Sequence, residues 1–135
     1  MDLILRNARI IGRNGATFDI GIDRERIAAI EPRLAADGRE IDLEGRLVSP
    51  GFVETHIHLD KSCILDRCKA EKGDLEEAIG EVAKAKRAFT PDDVYQRALR
   101  TLEKCILNGT THMRTQLEVD PGIGLRGLEG VLPLI

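Results

Sequence analysis

The chain has 135 residues, of which 42% are hydrophobic and 32% are charged, proportions that are ordinary for a globular domain. Its net charge of −3 and its aromatic content of only 3% argue against nucleic acid or an anionic membrane surface as a partner. No apolar run approaches the roughly 20 residues that a membrane span needs. The three cysteines have the spacing of neither a zinc knuckle nor a disulfide framework. We therefore expect a cytoplasmic protein with reduced thiols.

The first 49 residues have the pattern of a small β module without a periodic helix. Apolar runs, several of them alternating with polar residues, predict strands at residues 3–11, 17–22, 26–30, 41–43 and 47–48. Short polar turns such as G-R-N-G separate these runs. We expect the strands to pair in an antiparallel arrangement.

The remainder of the chain alternates between helical and strand patterns. Apolar residues at helical spacing over residues 74–88 predict a helix, whose charged side chains, including Lys86, we expect on a solvated face. The string T-P-D-D at residues 90–93 is typical of a helix start, and Asn108-Gly109 is typical of a helix end. Residues 110–120 then alternate as a strand.

Two of the three histidines of the chain lie in one short segment, P-G-F-V-E-T-H-I-H-L-D-K at residues 50–61. Its apolar residues are rich in strand formers and predict a buried strand. Residues two apart on a strand point to the same face, so we expect His56, His58 and Asp60 to project together. Two imidazoles on one strand supply half of a tetrahedral site for zinc or iron. A solvent-facing histidine pair with no ligand has the same spacing.

The complete string of residues 50–61 resembles the first barrel strand of the amidohydrolase superfamily, and its H-I-H-L-D form is most similar to cytosine deaminase and its relatives. This resemblance favours the metal site over the unliganded pair. It implies an α/β fold in which residues 1–49 form the N-terminal β-sandwich strands and residues 50–135 form the first β/α units of a (β/α)₈ (TIM) barrel. Because such a barrel needs about 250 residues, we expect a further C-terminal segment or a second chain to complete it.

A second segment, N-G-T-T-H-M-R-T-Q-L-E-V-D, resembles the second strand of cytosine deaminase-like enzymes. His112, Arg114 and Thr115 match a Gly-x-x-His-x-Arg-Thr string of that family, whereas Gln116 stands where the family would have a histidine. We expect Arg114 and Gln116 to line the substrate cavity. The alternative is that His112 and Arg114 hydrogen-bond neighbouring strands or loops.

The resemblance implies that His56 and His58 hold one divalent metal ion, zinc or iron, together with ligands from later strands. In cytosine deaminase-like members, hydroxide generated at the cation attacks a ring carbon that bears an amino group, and ammonia leaves. Asp60 would orient one of the histidines or close the cavity from behind. The implied partner is a small cyclic nitrogenous substrate, and the general acid and base cannot be assigned from these residues.

Two alternatives remain open. The first is a hydantoinase-like or dihydroorotase-like cyclic amidase, which ranks lower because Leu59-Asp60 follows the second histidine. The second is a non-catalytic α+β binding module, in which a homo-oligomer would bury the exposed strand edges.

Overall fold

The computed structural model describes residues 1–135, which divide into two units, Met1–Pro50 and Gly51–Ile135. The first unit consists of five strands: β1 (Leu3–Ile10), β2 (Thr17–Asp23), β3 (Arg26–Glu31), β4 (Arg39–Asp42) and β5 (Leu47–Val48). They form one sheet in the order β3-β2-β1-β4, with β5 also pairing with β1. These positions agree with the predicted strands to within a few residues.

The direction of two of these strands differs from the prediction. β1 and β2, and β2 and β3, are antiparallel, but β4 and β5 each pair with β1 in parallel. The reason is the segment of residues 32–38, which runs back along the sheet so that Arg39 enters opposite Leu3. Parallel strands need such a crossover, and apolar alternation carries no information about strand direction.

A buried carboxylate fixes this crossover. Asp19 accepts hydrogen bonds from the backbone N–H of Leu34 at 3.0 Å and of Asn7 at 3.1 Å, and it pairs with Arg6 at 2.7 Å. The same guanidinium donates to the carbonyl oxygen of Leu34 at 2.6 Å. Charge-assisted bonds of this kind attach the returning segment to the sheet.

The second unit has two strands, three α-helices and several short 3₁₀ turns, and the strands and α-helices are β6 (Phe52–Ile57), α1 (Leu75–Ala85), α2 (Pro91–Leu107), β7 (Thr110–Thr115) and α3 (Arg126–Val131). β6 and β7 are parallel neighbours, joined by a connection that includes α1 and α2. A core packs between these elements and consists of Leu59, Ile64, Phe89, Val94, Ala98, Ile123 and Val131. The helices of this structure are all too short or too polar to cross a lipid bilayer.

Both predicted helix starts are confirmed by their caps. The Asp74 side chain accepts a hydrogen bond from the backbone N–H of Glu77 at 2.8 Å, at the start of α1. Thr90 accepts from the N–H of Asp93 at 3.2 Å, and Pro91 occupies the first turn of α2. Each cap satisfies a backbone donor that has no partner within the helix.

Both strands of this unit are shorter than predicted. The strand expected to extend to residue 61 ends at Ile57, and the one expected to extend to residue 120 ends at Thr115. Nor is β6 the buried strand expected from its composition, because Phe52 is 65% exposed. Only β7 pairs with β6 in this chain, so the far side of β6 is uncovered.

Candidate functional site

The two histidines of the H-x-H string lie together where β6 ends. His56 is on the strand and exposed, and His58 follows the last strand residue and is half-buried. Their ring centroids are 5.5 Å apart, and the ring planes are inclined by 53°. The structure therefore brings the two imidazoles together, as their spacing predicted.

The surroundings of His58 fit a cation ligand. Its Nδ1 atom is buried and has no hydrogen-bond partner. A buried polar atom without a partner costs free energy, which ligation of a cation would recover. No group of three or more His, Cys, Asp and Glu side chains in residues 1–135 could hold a metal ion. His56 and His58 can thus occupy two ligand positions of a metal site, and the remaining ligands would have to come from other residues.

Asp60 does not share the strand face of the histidines, and that prediction is wrong. It lies in a 3₁₀ turn, Leu59–Lys61, because the strand has already ended. The Thr115 hydroxyl accepts the N–H of Leu59 at 3.1 Å and donates to the carbonyl of Ile57 at 3.2 Å, which turns the chain out of the sheet.

The Asp60 carboxylate instead joins the ends of the two strands. It has no exposed surface, and its Oδ2 atom accepts the backbone N–H of Glu118 at 2.9 Å. Gly127 of α3 packs against it so closely that an added Cβ would lie 3.4 Å from the Asp60 Cβ. The other carboxylate oxygen is buried without a partner.

The predicted substrate residues lie at and just beyond the end of β7. Arg114 is exposed, and its guanidinium has no hydrogen-bond partner within the chain. Gln116 follows the strand, donates its backbone N–H to the carbonyl of Ile57 at 2.8 Å, and has a buried side-chain oxygen without a partner. The His112 side chain hydrogen-bonds only the hydroxyl of its neighbour Thr111, at 3.1 Å. β6 is the only neighbouring strand of β7 within these residues, so the alternative in which His112 and Arg114 bond to neighbouring strands or loops stays a prediction.

Sequence reasoning missed a charged cluster beside these residues. Lys86 donates to Glu118 at 2.9 Å and also to Asp120, and the hydrogen bond from Lys86 lowers the pKa of the Asp120 carboxyl to about 2. Lys61 lies 3.4 Å from the second Glu118 oxygen. The Lys86 side chain is only 12% exposed, so its predicted place on a solvated face is wrong. Lys86 directly follows α1, and the sequence pattern could not reveal its partners because they lie 32 and 34 residues away.

A second charged cluster lies at the start of α2. Arg67 donates to both carboxylate oxygens of Asp93, at 2.9 and 2.6 Å, and Arg97 donates to one of them at 3.0 and 3.2 Å. These hydrogen bonds, chiefly that from Arg67, lower the pKa of Asp93 to about 2. The carboxylate therefore stays ionised in the folded protein at pH values where it is protonated in the unfolded chain.

This shift gives a prediction for the pH dependence of stability. An unfolded aspartate titrates near pH 3.9, so the lowered pKa of Asp93 adds stability that is complete above about pH 4 and is lost as the pH falls towards 2. Asp93→Asn should lower the free energy of unfolding at pH 7, and the difference from wild type should shrink between pH 4 and 2. Urea unfolding across this range checks it, with Asp92→Asn as the matched control. A difference that stays constant or grows on acidification would contradict the assignment.

The chain belongs to the Amidohydrolase family, whose model matches residues 39–130. Among curated relatives, N-isopropylammelide isopropyl amidohydrolase of Pseudomonas sp. (strain ADP) is 33% identical over 137 residues, which cover 97% of this chain and 34% of the relative. Among solved structures, 5-methylcytosine deaminase of Klebsiella pneumoniae has a TM-score of 0.84 and 34% identity, over 97% of this chain and 32% of that one. N-isopropylammelide isopropylaminohydrolase of Burkholderia multivorans has a TM-score of 0.76 and 32% identity, over 98% of this chain and 34% of that one.

These comparisons confirm the family predicted from residues 50–61, and with it the mixed α/β class. The chain spans about a third of the length of the relatives it matches.

Proposed function

We propose that this chain supplies the N-terminal β module and the first β/α units of the barrel in a metal-dependent amidohydrolase. The substrate is a small cyclic nitrogenous compound whose C–N bond is hydrolysed, and the preferred reaction is ring deamination of the cytosine type. The observation that carries the proposal is the pair of His56 and His58 imidazoles at the end of β6, with a buried, unpartnered nitrogen on His58.

His56 and His58 would hold one divalent ion, zinc or iron, because neutral imidazole suits both metals. When bound, such an ion lowers the pKa of a water molecule so that it becomes a nucleophile at neutral pH. The remaining ligands and the general acid are assigned to residues outside these 135. The chain's own contribution is orientation: the backbone beyond His58 is bonded to Thr115, which keeps the imidazoles on a fixed strand end.

Two further residues have free polar groups suited to a nitrogen heterocycle. The buried Gln116 side-chain oxygen would accept a hydrogen bond from an amino group or ring N–H. The unpaired Arg114 guanidinium would donate to a ring carbonyl oxygen. Asp60 would act by positioning its neighbours, because its carboxylate accepts the N–H of Glu118 and so holds the segment after β7 in place. This is a positioning role in which Asp60 touches neither substrate nor metal.

Besides the Leu59-Asp60 pair that follows the second histidine, one observation favours ring deamination over cyclic amide hydrolysis. The two solved structures that follow 97% and 98% of this chain are, by their names, a deaminase and an aminohydrolase that removes an alkylamine. A hydantoinase-like or dihydroorotase-like cyclic amidase is the alternative.

The test joins this chain to the part of the Klebsiella deaminase that lies beyond the matched third. The purified fusion is loaded with zinc or iron and assayed with 5-methylcytosine and cytosine for ammonia, with N-isopropylammelide for isopropylamine, and with hydantoin for ring opening. We expect amine or ammonia release and no ring opening. Circular dichroism and metal content establish that the fusion is folded and loaded. Because the fused part supplies the general acid and the remaining ligands, the assay tests whether this chain completes a working site, and a folded, loaded fusion that turns over none of these compounds would contradict the proposal.

If the fusion does not fold, the metal site can still be tested on the 135-residue chain. Titrations with Co²⁺ and zinc need only residues 1–135. They decide the part of the proposal that concerns His56 and His58.

A further inference from the structure

Arg97 is a buried cation on α2 whose partners lie on the turn that follows His58. It is 3% exposed, and its Nη1 atom donates to the carbonyl oxygens of Asp60 at 3.0 Å and Ser62 at 2.8 Å. Its Nε and Nη2 atoms donate to Asp93 at 3.2 and 3.0 Å. The guanidinium also lies 4.2 Å from the centre of the Phe89 ring. The contact is to the backbone of Asp60 and Ser62, so the side-chain pattern of residues 50–61 did not indicate it.

A guanidinium is costly to bury unless its charge is paired and its donors are bonded. Here Asp93, which Arg97 shares with the partly exposed Arg67, pairs with the charge, and the Nη1 atom of the rigid planar fork reaches two carbonyl oxygens of the turn. The turn is thereby attached to α2 at both ends of the Asp60–Ser62 segment. On the opposite side Leu59 is attached to β7 through Thr115.

We propose that Arg97 is a positioning residue: it fixes the backbone immediately after His58 and so keeps the His58 imidazole in the position in which it can bind the cation. It acts through the Leu59–Lys61 turn and does not contact the histidine. This inference rests on the proposed function, because it assigns Arg97 a part in the same metal site. Loss of a group that hydrogen-bonds a metal ligand commonly lowers metal affinity about 10-fold to 100-fold, and a group that acts through one more residue should act at the lower end of that range.

Arg67 provides a matched control. It also pairs with Asp93, through two hydrogen bonds, and its guanidinium also lies over the Phe89 ring, at 5.9 Å. Unlike Arg97, it makes no bond to the carbonyls of the turn. Arg97→Lys and Arg67→Lys therefore make the same change beside the same carboxylate and the same ring, and only the first releases the turn.

The experiment measures amide hydrogen exchange and Co²⁺ affinity on the 135-residue chain. In Arg97→Lys we expect exchange over residues 59–62 to accelerate at least about tenfold, and Co²⁺ affinity to fall about 10-fold. In Arg67→Lys we expect both to stay within about twofold of wild type. Wild-type exchange and affinity in a folded Arg97→Lys protein would overturn the inference.

Amide exchange and Co²⁺ affinity together distinguish failure of this inference from failure of the proposed function. If the wild-type chain binds no Co²⁺ through its histidines, the proposed function fails, whereas exchange at the turn still shows whether Arg97 holds it. If Arg97→Lys does not fold, Asp93→Asn replaces it, since loss of the carboxylate that orients Arg97 should loosen the same turn. Unchanged exchange in that variant would equally overturn the inference.

Discussion

Replacing His58 by alanine is expected to lower the affinity of the chain for Co²⁺ by at least about 100-fold. Loss of a residue that merely hydrogen-bonds a ligand commonly lowers metal affinity about 10-fold to 100-fold, and loss of the ligand itself should cost more. His56→Ala should act in the same direction, because one imidazole cannot chelate. Neither change should disturb the fold, as His56 is exposed and the His58 side chain makes no hydrogen bond through its buried nitrogen. Isothermal titration, with the visible absorption of bound Co²⁺ as a second signal, measures the affinity.

The third histidine is the control for this prediction. His112 is exposed on β7 and bonds only the Thr111 hydroxyl, so His112→Ala should retain wild-type affinity. Equal losses from all three substitutions would indicate nonspecific binding to surface imidazoles. They would contradict a site built on the H-x-H string.

The largest effect on stability is expected from Phe89→Ala. Phe89 has no exposed surface and packs in the core of the second unit with Val94 and Ile123. Removal of a buried phenylalanine ring commonly costs about 3–5 kcal/mol, and this ring also faces the Arg97 guanidinium. Urea unfolding followed by Tyr95 fluorescence reports on α2 directly, since the chain has a single tyrosine and no tryptophan.

Phe52→Ala removes the same atoms from a residue that is 65% exposed, and it should cost less than about 1 kcal/mol. Similar losses from the two phenylalanine substitutions would show that the core has been placed wrongly. A large loss from Phe89→Ala alone would support its assignment to the core.

The parts of the fold that depend on neighbouring residues could be predicted from the sequence. The starts of α1 and α2 follow from Asp74 and Thr90, whose capping partners are three residues away. The ends of β6 and β7 could not be predicted, because they are set by a hydrogen bond between Leu59 and Thr115, which are 56 residues apart. The direction of β4 depends on how residues 32–38 return across the sheet, and strand patterns do not encode that path.

The same distinction between local and long-range contacts applies to the candidate site. His56 and His58 could be found because their spacing and neighbours are local. The contacts that support them could not, because Arg97 reaches Asp60 across 37 residues and Lys86 reaches Glu118 across 32. Residues of this kind carry no local signal, since a charged side chain on a helix usually faces solvent.

Nuclear magnetic resonance of the three imidazoles during a zinc titration tests the central claim most directly, namely that His56 and His58 together supply half of a metal site. We expect the ring signals of His56 and His58 to change together and to reach their end point at one zinc per chain, while those of His112 stay unchanged. Independent changes of the two, or a response of His112 at the same zinc concentration, would contradict the claim.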